Sequence, residues 1–143
     1  MAFKDMITPE TTALGCRAES WEDAIALVGG LLEQAGDIRP EYTQSMIRMV
    51  RDLGPYIVMM PGIAVAHARP QGSVLHNSIA AATFPQGVRF GSPSNDPVYL
   101  VFAVAACTDN EHLDLFKDLA EFVDNEENIS RFLHAATFAD IGL

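Results

Sequence analysis

Four short apolar segments in the middle of the chain constrain the fold more than any other feature of the sequence. They read YIVMM, GIAVA, SIAAATF and VYLVFAVAAC, and proline, glycine, asparagine and serine residues separate them. A strand with one exposed face alternates between apolar and polar residues, whereas a strand covered on both faces is apolar almost throughout. The four segments therefore predict strands of a sheet that is buried between two layers.

Helical patterns flank these segments on both sides. Before them, SWEDAIALVGGLLEQAG predicts a helix capped by Ser20, and PEYTQSMIRMVRDLG predicts a helix that begins at Pro40 and stops at Gly54. After them, NEHLDLFKDLAEFV predicts a helix capped by Asn110, and NEENISRFLHAA predicts a fourth helix. The apolar stripes of the last three helices are expected to face inward: Tyr42, Met46, Ile47, Val50 and Leu53, then Leu115, Phe116, Leu119, Phe122 and Val123, then Ile129, Phe132, Leu133 and Ala136.

The order of these elements predicts the fold class. A further strand is indicated at residues 11–18, TTALGCRA, ahead of the first helix. Two helices, several strands and two more helices favour an α/β fold, a mixed β-sheet sandwiched between helices on both faces. At 143 residues, the chain is expected to form a single domain spanning residues 1–143.

The charge of the chain restricts its partners. The formal net charge of −10 repels nucleic acid and anionic lipid, and it suits a protein partner with a basic docking face. The first ten residues, MAFKDMITPE, lack the apolar core of a signal peptide, so we expect a cytoplasmic protein. In that compartment Cys16 and Cys107 are predicted to be buried, unpaired thiols.

The four histidines do not have the spacing of a metal site. His67, His76, His112 and His134 form no close pair with one another or with a cysteine, so no metal is expected. No cofactor is expected either, because the sequence has no glycine-rich phosphate loop or dinucleotide fingerprint. The G-x-S-x-G motif of serine hydrolases is also absent. Cys107 lies at a strand end but has no local signature of a nucleophile. For His76, in a polar loop, and His134, on the last helix, a structural role is the preferred interpretation.

His67 is the strongest candidate for chemistry. In the stretch MPGIAVAHARP, a run of small apolar residues leads directly to this histidine, and Arg69 follows two residues later. The end of an apolar strand is where α/β folds place ligand sites, and a guanidinium suits phosphate oxygens. The alternative is a structural histidine held in a loop.

His112 is the second candidate. It lies in VAACTDNEHLDLF, where a strand end, a short turn and a helix start follow one another. A helix N-terminus attracts anions and favours a neutral imidazole, although an exposed first-turn histidine is the simpler alternative. If the two strand ends share one sheet edge, both histidines would face one anion, and a neutral imidazole could carry a phosphoryl group with Arg69, His112 and backbone amides as stabilisers. Arg48 or Arg51 can add positive charge there, or can simply be solvated.

These residues resemble a known family. GPYIVMMPGIAVAHARPQGSV, GVRFGS and NDPVYLVFAVAACTDNEHLDLFKDLAEFV are similar to the IIA component of bacterial sugar phosphotransferase systems, of the fructose–mannitol type and its ascorbate-like branch. The resemblance implies that His67 accepts a phosphoryl group through Nε2 from phosphorylated HPr. It further implies transfer to a cysteine of a IIB component, which serves a membrane IIC subunit. His112 matches the second active-site histidine of the family, and Arg69 matches the arginine of the ascorbate branch.

The chain departs from the family pattern at one position beside the histidine. Family members usually have proline immediately before the phosphorylated histidine, whereas this chain has Ala66, which restores an N–H and some backbone freedom. An arginine that some members carry upstream has no clean counterpart, since Arg48 and Arg51 match it equally poorly. The phosphate-handling residues His67 and His112 are present.

Other functions remain open from the sequence. A nitrogen-type regulatory IIA protein, whose phosphorylation state controls a protein partner, would use the same motif, and a metal-dependent hydrolase is a third possibility. A homodimer is possible, and the transported sugar cannot be read from these residues. A shallow apolar docking face is expected around His67; Ile63, Val65 and Phe90 are candidates for its lining, with core burial the preferred expectation for each.

Overall fold

The arrangement of helices and strands in the computed structural model, which describes residues 3–143, is a mixed sheet between two helical layers. In chain order the elements are β1 (Ile7–Ala13), α1 (Trp21–Gln34), α2 (Pro40–Leu53), β2 (Val58–Met60), β3 (Ile63–Ala66), β4 (Ser78–Val88), β5 (Val98–Ala105), α3 (Asp109–Val123) and α4 (Glu126–His134), with 3-10 turns at Phe3–Met6 and Phe138–Ile141. This confirms the predicted α/β class. Within residues 3–143, no helix is both long enough and apolar enough to cross a membrane.

The strand order is what positions the candidate site. The sheet runs β1-β4-β5-β3-β2, with β3 parallel to β5 and β4 antiparallel to it. Ala66, the last residue of β3, lies opposite Ala103 of β5. Because parallel neighbours end at the same edge of a sheet, the segments that follow β3 and β5 leave the sheet side by side.

Each face of the sheet has its own core. Ala64 and Ala66 of β3 pack in a cluster with α1 and α2, whereas Ile63 and Val65 pack in a second cluster with α3 and α4. All of β3 is buried. The alternation of the strand thus supplies apolar side chains to both layers, which explains why its sequence is apolar throughout.

The helix ends of the first layer follow the predicted signals. The Ser20 side chain accepts a hydrogen bond from the Asp23 N–H at 3.2 Å and caps α1. Pro40 occupies the first turn of α2, and Gly54 ends the helix with φ of 88°, a conformation that other residues adopt only with strain. These local rules operate independently of the tertiary fold, so they could be read from the sequence.

Two predicted element boundaries are wrong. The first strand is Ile7–Ala13 and not residues 11–18, because Gly15 has a φ of 68° and turns the chain out of the extended conformation. The cap of α3 is Thr108 and not Asn110, because the Thr108 hydroxyl accepts the Glu111 N–H at 3.2 Å. The helix consequently begins at Asp109 and keeps His112 in its first turn.

Several burial predictions are also wrong. Leu53 is 67% exposed and Leu133 is 43% exposed, and Ala136 lies beyond α4 and is exposed, so none of these faces inward. Cys107 is exposed and not a buried thiol, because β5 has already ended when the chain reaches it; Cys16 is only partly buried. Hydrophobic periodicity marks one stripe of a helix but does not show where the opposing layer stops.

Candidate active site

The two candidate histidines meet at the edge of the sheet where β3 and β5 end. His67 directly follows β3, and His112 lies in the first turn of α3, which begins shortly after β5. Their ring centroids are 5.4 Å apart, with 50° between the ring planes. The adjacency that the sequence left conditional is therefore present in the structure.

One hydrogen bond defines which nitrogen of His67 is available for chemistry. Nδ1 lies 2.9 Å from the carbonyl oxygen of Val65. A carbonyl can only accept, so Nδ1 carries the proton and a neutral ring keeps its lone pair at Nε2. Within residues 3–143, Nε2 has no hydrogen-bond partner. Every buried side-chain nitrogen in these residues has a partner, so Nε2 must be exposed to solvent. The nitrogen that carries the free lone pair is thus accessible.

Aromatic rings hold the His67 imidazole in place. The ring meets Tyr56 at 5.5 Å and Phe116 at 5.1 Å between centroids, both edge to face, and Phe116 in turn stacks on His112 at 5.8 Å. Edge-to-face contacts at such distances are a favoured geometry for ring pairs, so they stabilise this position of the imidazole. The sequence predicted Phe116 only as a core residue and did not identify Tyr56, because neither the α3 surface nor the turn after α2 could be placed beside His67 from local pattern.

Both imidazoles are favoured in the neutral form. Burial lowers the pKa of His67, and the hydrogen bond to Val65 opposes this in part. Burial also lowers the pKa of His112, His67 lowers it further, and Asp109 has the opposite effect. Since a histidine must be neutral to act as a nucleophile, these shifts favour reactivity at neutral pH.

Arg69 lies on the rim of a cavity of about 440 Å³ that both histidines share. The cavity is lined by Met49, His67, Ala68, Arg69, Pro70, Asp109, His112 and Leu113. The Arg69 side chain is exposed, and no carboxylate within the described part of the chain pairs with it. Its guanidinium is therefore available to an incoming anion.

The two upstream arginines differ in their relation to this cavity. Arg48 lines an adjoining groove together with Arg69, and Met49 and Ala68 border both spaces. Arg51 instead pairs with Glu22 of α1 at 3.7 Å. Of the two, only Arg48 lies where it can add positive charge near the histidines.

A side-chain network fixes the start of α3. The Asn77 carboxamide oxygen accepts the Cys107 N–H at 2.8 Å, and the Asn77 amide nitrogen donates to Glu111. Glu111 also accepts from the Thr108 hydroxyl at 2.9 Å. Burial and the neighbouring Glu111 raise the pKa of Cys107, which favours the unreactive thiol over the nucleophilic thiolate.

The remaining candidates lie outside the cavity. His76 is exposed beside Asp37 at 3.6 Å, and His134 bonds to the Ser130 carbonyl at 2.8 Å on α4. Neither lines the cavity that His67 and His112 share. Ile63, Val65 and Phe90 are 2–4% exposed and belong to the core, as preferred above. The apolar side chains around the histidines are others: Met49 and Leu113 line the cavity, and Tyr56 contacts His67. No group of three metal-ligating side chains occurs within residues 3–143.

The chain is similar to known proteins along nearly its whole length. Residues 5–142 match the profile of the family described as "Phosphoenolpyruvate-dependent sugar phosphotransferase system, EIIA 2". The "Ascorbate-specific PTS system EIIA component" of Shigella boydii is 31% identical over 143 residues, which cover 99% of this chain and 93% of that protein.

Two solved structures extend these comparisons to the fold. The mannitol-specific cryptic phosphotransferase enzyme IIA CmtB from Escherichia coli has a TM-score of 0.86 at 27% identity, covering 99% of this chain and 97% of that one. Enzyme IIAMTL, solved in complex with phosphorylated enzyme IIBMTL from Escherichia coli, has a TM-score of 0.83 at 31% identity, covering 94% and 92%.

Proposed function

Because this chain belongs to the EIIA type 2 family of the phosphoenolpyruvate-dependent sugar phosphotransferase system, we propose that His67 carries a phosphoryl group from phosphorylated HPr to a cysteine of a IIB component. The observation that carries this proposal is the bond from His67 Nδ1 to the Val65 carbonyl, which leaves Nε2 as the accessible nucleophile beside His112. The depressed pKa of His67 supports the same role, since it favours the neutral ring.

The transfer is balanced without a cofactor. The Nε2 lone pair forms a bond to phosphorus while the bond between phosphorus and the atom of HPr that carries it breaks. That HPr atom leaves with the electron pair of the broken bond. The Nδ1 proton stays on the ring throughout, where the Val65 carbonyl stabilises the developing positive charge. In the second step, the thiolate of the IIB cysteine attacks phosphorus, the bond from phosphorus to Nε2 breaks, and His67 leaves with that electron pair as the neutral imidazole.

Two side chains are suited to stabilising the moving group. The transition state spreads charge over three equatorial phosphoryl oxygens, so nearby donors lower its energy. Arg69, with its unpaired guanidinium, and His112, across the cavity from it, supply such donors in this proposal. The backbone amides at the start of α3 are a third source of donors in this proposal.

The partners and substrate follow from similarity. The complex of IIAMTL with phosphorylated IIBMTL supports a IIB acceptor for this chain, and the Shigella boydii protein supports ascorbate as the sugar of its system. A membrane IIC component and a cytoplasmic location belong to this proposal. The regulatory alternative uses the same phosphohistidine. We favour a role in sugar transport because the 31% identical relative is named as the EIIA component of an ascorbate-specific phosphotransferase system.

Labelling with phosphorylated HPr tests the proposal. Wild-type protein is expected to take up acid-labile, base-stable phosphate, and His67→Ala is expected to take up none. His76→Ala is the matched control, because that histidine lies outside the cavity, and it should label normally. Label retained in His67→Ala would overturn the assignment. Adding a purified ascorbate-type IIB should then discharge the wild-type label onto its cysteine, and failure of that step alone would favour the regulatory function.

A further inference from the structure

Tyr42 combines complete burial with a polar group at the centre of the fold. It lies in the first turns of α2, has no exposed surface and was predicted from the sequence only as an inward-facing residue. Its hydroxyl lies 2.6 Å from the Val104 carbonyl oxygen and 3.2 Å from the Ala68 carbonyl oxygen. It also accepts the Ala68 N–H at 3.1 Å. A buried hydroxyl with three backbone contacts fixes the positions of the groups that it joins, because leaving any of them unpaired in the core is costly.

The partners of this hydroxyl belong to the two segments that carry the candidate site. Ala68 is the residue between His67 and Arg69, and the hydroxyl contacts both its N–H and its carbonyl. Val104 is in β5, the strand that leads into α3 and His112. One oxygen atom of α2 therefore joins the loop after β3 to the end of β5.

The hydroxyl remains able to donate and to accept under all physiological conditions. Burial raises the pKa of Tyr42 to about 12, the hydrogen bond with Ala68 opposes this, and Tyr56 adds a smaller rise. Its single proton is directed to the nearer carbonyl, that of Val104, while a lone pair receives the Ala68 N–H. A phenylalanine would fill the same space and leave both backbone groups without this partner.

We propose that Tyr42 is a positioning residue for the transfer reaction: its hydroxyl holds the backbone between His67 and Arg69 against β5, so that the His67 ring keeps its bond to Val65 and faces His112. The role in transfer rests on the proposed phosphoryl-carrier function, whereas the role in holding the His67 ring does not. Tyr42 acts through the backbone of Ala68 and touches no reacting atom.

The test compares Tyr42→Phe with two controls. Tyr99→Phe removes the hydroxyl of a partly exposed tyrosine, and within residues 3–143 this hydroxyl makes no hydrogen bond to the protein. Ile25→Val creates a small cavity in the α1 core and lowers stability without removing any hydrogen-bond partner of the Tyr42 hydroxyl. Each variant is examined by nitrogen-15 chemical shifts of the His67 ring, which report the tautomer, and by the rate of labelling from phosphorylated HPr.

Tyr42→Phe is expected to bring the two His67 nitrogen shifts together, as the tautomers mix, and to slow labelling about 10- to 100-fold, the range for a small misplacement of reacting groups. Both controls should keep the wild-type shifts and rate. Unchanged His67 shifts in folded Tyr42→Phe, or an equal change in Ile25→Val, would overturn the proposal.

A measurement on the wild-type protein covers the case in which Tyr42→Phe does not fold. The Ala68 amide should exchange slowly with solvent, as the bond to Tyr42 requires, and rapid exchange would contradict the proposal. If wild-type protein took up no phosphate at all, the phosphoryl-carrier function would fail, but the tautomer measurement would still decide the positioning role.

Discussion

The rings of His67 and His112 lie 5.4 Å apart between centroids, and each depends on a different strand for its place. His67 is the first residue after β3, and His112 is in the helix that follows β5. The parallel pairing of these strands makes the relationship possible, and Phe116 packs against both rings. The two rings are also close enough that His67 lowers the pKa of His112, after the larger effect of burial.

Stability should fall as the pH drops below the usual histidine range. The pKa values of His67 and His112 are lowered from 6.5 in the folded protein, so between the folded and unfolded values the unfolded chain binds more protons. The contribution of these two histidines to the free energy of unfolding is therefore fully present above about pH 6.5, and it is lost as the pH falls towards their lowered pKa values in the folded protein. Urea denaturation at a series of pH values measures the effect, and a His67→Ala/His112→Ala variant should show a shallower dependence than wild type.

Asp109→Asn should lower the pKa of His112 further. Asp109 favours the protonated ring, against burial and His67, so removing its charge leaves only the lowering influences. An NMR titration of His112 measures the change. Asp114→Asn, on an exposed position of the same helix, is the control and should leave the titration where it is. A rise in the pKa after Asp109→Asn would contradict the expectation.

Asn77→Ala should destabilise the start of α3 and slow phosphoryl transfer. The change removes the partner of the exposed Cys107 N–H and of one Glu111 oxygen, and the loss for ordinary hydrogen bonds is about 0.5–1.5 kcal/mol each. Chemical denaturation and the labelling rate give the two readouts. Asn128→Ala removes a bond to the Phe122 carbonyl far from the cavity, so it should affect stability without slowing transfer.

Thr108→Ala should cost about 1 kcal/mol of stability, the usual effect of losing a helix N-cap. The Thr108 hydroxyl accepts the Glu111 N–H, whereas Asn110 is already inside α3 and makes no capping bond. Asn110→Ala is accordingly expected to be neutral or slightly stabilising, since alanine is the better helix former. Urea denaturation measures both variants. A larger loss of stability in Asn110→Ala than in Thr108→Ala would contradict Thr108 as the cap and support Asn110, the cap expected from the sequence.

The adjacent glycines of α1 should respond to alanine in opposite directions. A Cβ at Gly29 would overlap the Thr43 side chain, which is itself bonded to Glu33 at 2.7 Å, whereas a Cβ at Gly30 meets no atom within 4 Å. Gly30→Ala should therefore stabilise the protein by about 0.5–1 kcal/mol through helix propensity. Gly29→Ala should destabilise it, because α1 and α2 must separate locally. Paired melting curves test both, and equal effects would exclude the close approach at Gly29.

The sequence by itself determined the types and order of the main elements and the position of His67 at a strand end. Ser20, Pro40 and Gly54 act through their own neighbours, and the apolar run of β3 indicates its burial directly, so these features are local. The YIVMM segment is an exception, because β2 covers only Val58–Met60 and Met59 is 44% exposed. The same locality explains the errors. Thr108 and Asn110 are both acceptable caps, and the stripe through Leu53 does not reveal where the sheet ends.

Only the tertiary structure decided which residues meet. Many strand orders are compatible with the same pattern, and the choice of β5 as the parallel neighbour of β3 is what brings His112 to His67. The Tyr42 hydroxyl shows the same limit, because helix periodicity turned the side chain inward but could not name Ala68 and Val104 as its partners. Contacts between residues far apart in sequence depend on packing of the whole chain, and a local pattern carries no record of them.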